Sequence, residues 1–294
     1  MKTYKDFKPD DIPWTSFGRD TPTAQVGRSL VPVGVFPFEL KPFNPATTPA
    51  VDATAPGNEK FLMNIVGTAI QCGAGKLVTC AHVVEALFKR EQKLSHYILA
   101  RAVRGNMVVA IPYAIEASIW YIDLRTSKRN RDVDLSALIV PAGPTGEFQY
   151  EVPPVKWGDS RELGVGDPVI VGGYPYGKQM FLFTNSNRGL VQPTFYAGIV
   201  SAILPATTES ETRLLQLSIP VAGGMSGGAV ILPGTGEVVG MITSCIHADK
   251  VPLPMSYAIP SEVIAPFIEN ISLGRGKPES SKITGADITG AVAS

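Results

Sequence analysis

Ser226 stands in the run Gly223-Gly224-Met225-Ser226-Gly227-Gly228, a composition suited to attack on an acyl carbon. An attacking hydroxyl needs backbone N–H groups aimed at the oxyanion it creates. A glycine two positions before the serine lets the backbone turn its N–H to that point without a Cβ clash. The N–H groups of Gly224 and Ser226 are therefore the candidate oxyanion hole. The bland reading of the same run is a glycine-rich turn, so the motif needs a partner. A serine at its free pKa is a poor nucleophile and requires a base. The chain has three histidines. His96 lies in a polar stretch and His247 in a loop after a strand. His82 follows the apolar run Leu77-Val78-Thr79-Cys80-Ala81, which delivers it to a strand-to-helix corner, a rigid placement that suits a base. The base in turn needs a carboxylate to hold its tautomer and steady the imidazolium. Asp134 opens the apolar run Leu135 to Val140, where an acid without a partner is costly. Asp132, two residues earlier, faces the same side of a strand and competes with it. Asp123 is a third candidate.

The elements that must position these residues read as short strands. Phe61 to Cys72 is an apolar run, Gly73-Ala74-Gly75-Lys76 a turn, and Leu77 to Cys80 the return strand. Ala81 to Lys93 reads as a short helix with Val84, Leu87 and Phe88 on one face. Further strands are expected at 97–102, 107–115, 119–124 and 135–140, and in a second half at 165–172, 198–204, 214–219, 229–232, 238–244 and 255–259. The Pro-rich stretch from Pro141 to Trp157 is the candidate boundary between the halves. A short helix follows Pro260, weakened by Pro266. Residues 1–58 show no clear period and read as an N-terminal extension, with aromatics such as Trp14 and Phe36 packing on something. Residues 59–150 form the first half, 151–272 the second, and 273–294 a small, polar, flexible tail.

Composition narrows the function classes. Lys+Arg and Asp+Glu are 26 each, so no electrostatic footprint points to nucleic acid or an anionic membrane. No run approaches the roughly 18 apolar residues of a membrane span. The charged start from Met1 to Lys8 has no apolar segment behind it, which reads as a chain without a secretory signal and hence cytoplasmic. Three cysteines, Cys72, Cys80 and Cys245, do not make a disulfide framework and read as buried or semi-buried thiols. No cluster of His, Cys and carboxylates has zinc-like spacing, and neither metal nor organic cofactor is expected.

The motifs together resemble the chymotrypsin family of serine proteases. The order His, Asp, Ser is that family's. Thr79-Cys80-Ala81-His82 is similar to its T-A-A-H, Asp134 to Leu138 to its D-[IL]-A-L strand, and Gly224 to Gly228 to its G-[DN]-S-G-G. Within the family, Gly173-Tyr174-Pro175-Tyr176-Gly177, Gly198-Ile199-Val200-Ser201 and Tyr257-Ala258-Ile259-Pro260-Ser261 resemble the bacterial HtrA-type branch. The likeness covers about residues 60–265. It implies an all-β fold of two six-stranded antiparallel β-barrels, with His82, Asp134 and Ser226 as a triad in the cleft between them. It implies a serine endopeptidase that cleaves protein or peptide substrates through an acyl-enzyme. The position at the base of the primary pocket is Pro220, followed by Val221. No acid stands there to hold Arg or Lys, so a small-to-medium apolar P1 residue is expected. Thr243, Ser244 and Cys245 would pair with an extended substrate. HtrA relatives trimerise through N-terminal segments, which implies a homo-oligomer through the arm.

Two departures matter. About 30 residues follow position 265, too few for the PDZ domain that HtrA proteins carry. The family's Asp or Asn before the serine is Met225, which cannot pair with a new N-terminus as trypsin-like zymogens do. Met225 motivates an alternative: a catalytically silent or partner-activated binding protein on the protease fold.

Overall fold

The computed structural model describes residues 21–36, 63–88, 95–104, 107–123, 128–129, 133–140, 152–175, 192–204, 213–248, 251–272 and 279–280. The expectations for 1–20, 37–58 and 281–294 fall outside these residues, as do Asp132 and the side chains of Asp123, His96, His247 and Cys245. Among the described residues no helix is long and apolar enough to cross a membrane.

The first half is an eight-stranded antiparallel sheet. In chain order its strands are β1 (Leu30–Phe36), β2 (Asn64–Gly73), β3 (Lys76–Thr79), β4 (Ser95–Arg104), β5 (Met107–Ala114), β6 (Ala117–Trp120), β9 (Ser136–Ile139) and β16 (Glu279–Ser280). Their spatial order is β16-β6-β9-β3-β2-β1-β4-β5. A separate two-stranded ribbon joins β7 (Ile122–Asp123) to β8 (Lys128–Arg129). The second half is a closed six-stranded barrel. Its strands are β10 (Pro168–Gly173), β11 (Thr194–Leu204), β12 (Leu214–Leu217), β13 (Ala229–Ile231), β14 (Val238–Ala248) and β15 (Val251–Pro260). They close in the order β10-β11-β12-β15-β14-β13.

The mostly β architecture is as expected, and the structure sharpens three details of it. One barrel is closed, while its counterpart is a curled sheet of eight strands rather than a second closed six-stranded barrel. The N-terminal extension contributes β1, which runs between β2 and β4 in the middle of that sheet. Leu30, Val31, Val33 and Val35 of β1 are each at most 2% exposed, so this segment is core. Just before it, α1 (Pro22–Gly27) is capped by the Thr21 hydroxyl, which accepts from Ala24 N at 3.2 Å. In the expected flexible tail, Glu279 and Ser280 pair with Ser118 and Ala117 and cover the free edge of β6.

Two helices complete the fold: α2 (Ala81–Phe88) directly after β3, and α3 (Ser261–Ser272) directly after β15. Val83, Val84 and Leu87 bury one face of α2. Ile264, Phe267 and Ile271 bury one face of α3, and the helix continues through Pro266. The start of α3 is fixed by Ser261 Oγ, which donates to Gly158 O at 2.7 Å and accepts from Ser160 N at 3.0 Å.

Candidate active site

Strand register brings the candidate residues together. On β3 and β9, Thr79 pairs with Ser136. His82 lies three residues beyond Thr79 and Asp134 two residues before Ser136, so both leave the same end of one antiparallel pair. Val78 and Ala137, partners deeper in that pair, are buried, which fixes the register. On β13 and β14, Ala229 pairs with Met241. The ladder continues with Gly227 N donating to Ile242 O and Ile242 N to Gly228 O, both at 2.8 Å. Ser226 thereby arrives opposite Thr243.

His82 and Asp134 are joined twice. His82 Nδ1 lies 2.7 Å from Asp134 Oδ2, and the His82 backbone N–H donates to Asp134 Oδ1 at 2.9 Å. An ionised carboxylate can only accept, so the neutral ring carries its proton on Nδ1 and keeps the Nε2 lone pair free. Thr243 Oγ1 also donates to Asp134 Oδ2. Burial pushes the Asp134 carboxyl up. The His82 ring, the Thr243 hydroxyl and the His82 N–H outweigh it and hold the group below the usual aspartate value.

Thr243 is the joint between the two halves. Its hydroxyl serves Asp134, and its carbonyl accepts from Ser226 Oγ at 3.4 Å. The Ser226 hydroxyl thus rests on Thr243 O in this structure rather than on the imidazole. Thr243 was expected on the pocket wall, but its side chain is buried against the carboxylate. Of the other expected pocket residues, Pro220 and Ser244 are exposed, and Val221 joins the barrel core.

The turn before Ser226 is ordered by its glycine. Met225 N donates to Ala222 O at 3.1 Å, closing a turn over Gly223 and Gly224. Gly224 has φ +97° while Gly223 keeps a negative φ, the signature of a type II turn, which needs a glycine at that position. Among the described residues, no group accepts from Gly224 N–H or Ser226 N–H. Met225 is fully buried in the barrel core, in one cluster with Val171, Ile219 and Leu217. Apolar burial therefore anchors the residue beside Ser226, where the resembled family uses a carboxylate or amide.

Sequence reasoning missed Thr68. This fully buried threonine on β2 donates from Oγ1 to Gly224 O at 2.8 Å and accepts from Tyr174 N at 3.0 Å. Its backbone N–H donates to Ser226 O at 2.8 Å, and its carbonyl accepts from Thr79 Oγ1 at 2.6 Å. Nothing in its neighbourhood signals contact with a loop 156 residues away.

Cys80, beneath the histidine, donates to Ile242 O at 3.1 Å. Burial and then the adjacent Asp134 hold its thiol well above the ordinary cysteine range. The ligating atoms of Cys80, His82 and Asp134 lie within 4.8 Å of one another. The ring and carboxylate already share a proton and the thiol is held neutral, which is the chemistry of a hydrogen-bonded relay rather than a ligand set.

A closed antiparallel barrel and a curled antiparallel sheet, meeting at a histidine, a carboxylate and a serine, define the trypsin-like class. The family model for the trypsin-like peptidase domain matches residues 67–241, and the chain belongs to that serine protease family. The chain is 31% identical over 126 residues to the serine protease Do-like HtrA of Bacillus subtilis (strain 168). That match spans 42% of this chain and 26% of the relative. Among solved structures, the HtrA-type protease AlgW with a decapeptide is similar at TM-score 0.56 and 16% identity. The likeness covers 88% of this chain and 67% of that one. AlgW with a tripeptide gives TM-score 0.51 at 16% identity, over 85% of this chain and 62% of that one. At such identities the two structures speak for the fold alone.

Proposed function

We propose that the chain is a serine endopeptidase, with Ser226 as nucleophile, His82 as general base and Asp134 as the residue that orients the base. One observation carries the reading. The Nδ1-anchored imidazole and the serine stand at facing ends of two strand ladders, beside two N–H groups without an acceptor among the described residues. In the reaction the Ser226 hydroxyl leaves Thr243 O for His82 Nε2 and gives up its proton as Oγ attacks the scissile carbonyl. Gly224 N–H and Ser226 N–H hold the oxyanion. The imidazolium then protonates the leaving amine, and water repeats the sequence to release the acid.

The substrate is a peptide in extended form. Beyond Ile242, strand β14 no longer pairs with β13, so the edge that starts at Thr243 supports strand addition beside Ser226. With Pro220 and Val221 leading into the turn, the primary pocket takes a small-to-medium apolar side chain. The alternative of a silent or partner-activated fold rested on Met225. Its full burial supports a turn ordered at rest instead.

Labelling with a fluorophosphonate tests the reading. The expected result is one adduct at Ser226 in the isolated protein, absent in Ser226→Ala and slowed in His82→Ala. Labelling that persists in Ser226→Ala, or a wild type that stays unlabelled, overturns it.

A further inference from the structure

We infer that Thr68 is a positioning residue for the oxyanion hole, holding the two donor peptides in place from the opposite half of the molecule. The inference rests on the serine protease reading above and adds a residue to its machinery.

The argument is an accounting of the loop's backbone. Between Ala222 and Gly228 each hydrogen bond has a clear task. Met225 N–H closes the turn on Ala222 O, and Met225 O accepts from Gly228 N–H at 2.8 Å. Gly227 N–H joins the β14 ladder. Residues 224 and 226 are treated alike and differently from the rest: both carbonyls are tied to Thr68, and both N–H groups are left without an acceptor among the described residues. Thr68 thus grips the oxygen side of the two residues whose nitrogen side faces the oxyanion.

The Oγ1 contact is the informative one. The backbone bond from Thr68 N–H to Ser226 O is available to any residue but proline. The bond to Gly224 O needs a side-chain donor at this height above β2. It also needs that donor's lone pair occupied, so that the hydroxyl hydrogen points one way. Tyr174 N–H supplies this, fixing the hydroxyl as acceptor from residue 174 and donor to residue 224. Gly224 is the residue with φ +97°, on which the orientation of the central peptide of the turn depends. If Gly224 O is released, the turn can relax to type I, which rotates the Gly223–Gly224 peptide and takes the Gly224 N–H out of the hole.

Three variants separate this role from packing. Thr68→Ser keeps the hydroxyl, Thr68→Val keeps the shape, and Thr68→Ala keeps neither. The measurements are turnover of an extended peptide substrate, affinity for a peptide boronate, which forms a tetrahedral adduct with the serine, and the thermal midpoint as a check on folding. The expectation is that activity follows the hydroxyl. Thr68→Ser stays within about 3-fold of wild type, while Thr68→Val and Thr68→Ala lose about 10- to 100-fold in kcat with KM little changed. Boronate affinity should fall in proportion to kcat/KM across the series. Should Thr68→Val not fold, Thr68→Ser against Thr68→Ala carries the same comparison. A folded Thr68→Val with wild-type turnover, or a loss confined to KM, overturns the proposal alone. A wild type that neither turns over nor binds the boronate overturns the protease reading, and this proposal with it.

Discussion

At the scale of single residues, Asp134 and Met225 make the sharpest predictions. Asp134 is held below the usual aspartate value, so it binds its proton more weakly in the folded protein than in the unfolded chain. Its contribution to stability is therefore complete above about pH 4, the unfolded value, and is lost as pH falls through the folded one. Thr243→Val removes one of the bonds that lower it. The acid limb of the unfolding midpoint, followed by circular dichroism, should move to higher pH in that variant. Asp134→Asn should remove this contribution to the limb and cut kcat by about 10⁴-fold, because an amide presents the wrong partner to Nδ1. Met225 predicts the reverse of what resemblance suggests. Restoring the family's acid with Met225→Asp places a charge without a partner in the barrel core and should cost about 3–5 kcal/mol in urea unfolding. Met225→Leu should cost under about 1.5 kcal/mol and keep fluorophosphonate labelling. His82 and Ser226 stand out in the sequence as candidates because a rigid apolar strand and a glycine run mark them locally. Thr243 was legible as a neighbour of the site but not in its task, because a hydroxyl's partner is set by where the other half of the molecule lies.

At the scale of elements, the strands flanking the triad were readable because each is a short apolar run bounded by a turn. Their register was not, since it follows from which faces are buried once the strands pair. Gly227 shows how tightly the elements close. It has φ +86°, and a Cβ there would collide with Thr68 O and Thr79 Oγ1. Gly227→Ala should therefore lose about 3 kcal/mol or more of stability, or push β13 away from β2 and abolish labelling of Ser226. A thermal melt together with the labelling assay reads both outcomes. Helix α3 was read as weakened by Pro266, yet it runs from Ser261 to Ser272. Its start is pinned by Ser160, Gly158 and Glu262, and its apolar face is buried, so tertiary contacts outweigh the missing N–H.

At the scale of the whole molecule, the feature least visible in the sequence is β1. It was hidden because a strand flanked by long Pro- and Thr-rich stretches has no local partner. Its neighbours β2 and β4 begin at residues 64 and 95. Burying Leu30, Val31, Val33 and Val35 contributes on the order of 6–12 kcal/mol, comparable to the entire stability of an ordinary domain. Deletion of residues 1–36 should therefore abolish the cooperative thermal transition of the protein, as read by near-ultraviolet circular dichroism. The bond between Thr68 and Gly224, which spans 156 residues, has a consequence in time. A ribosome adding about 5–20 residues per second needs about 8–30 s to travel from one to the other. For most of that interval His82 has been made, but the turn that carries Gly224 and Ser226 has not been synthesised. On the proposed function, a growing chain therefore carries no finished cutting edge until its second half has emerged and closed on the first.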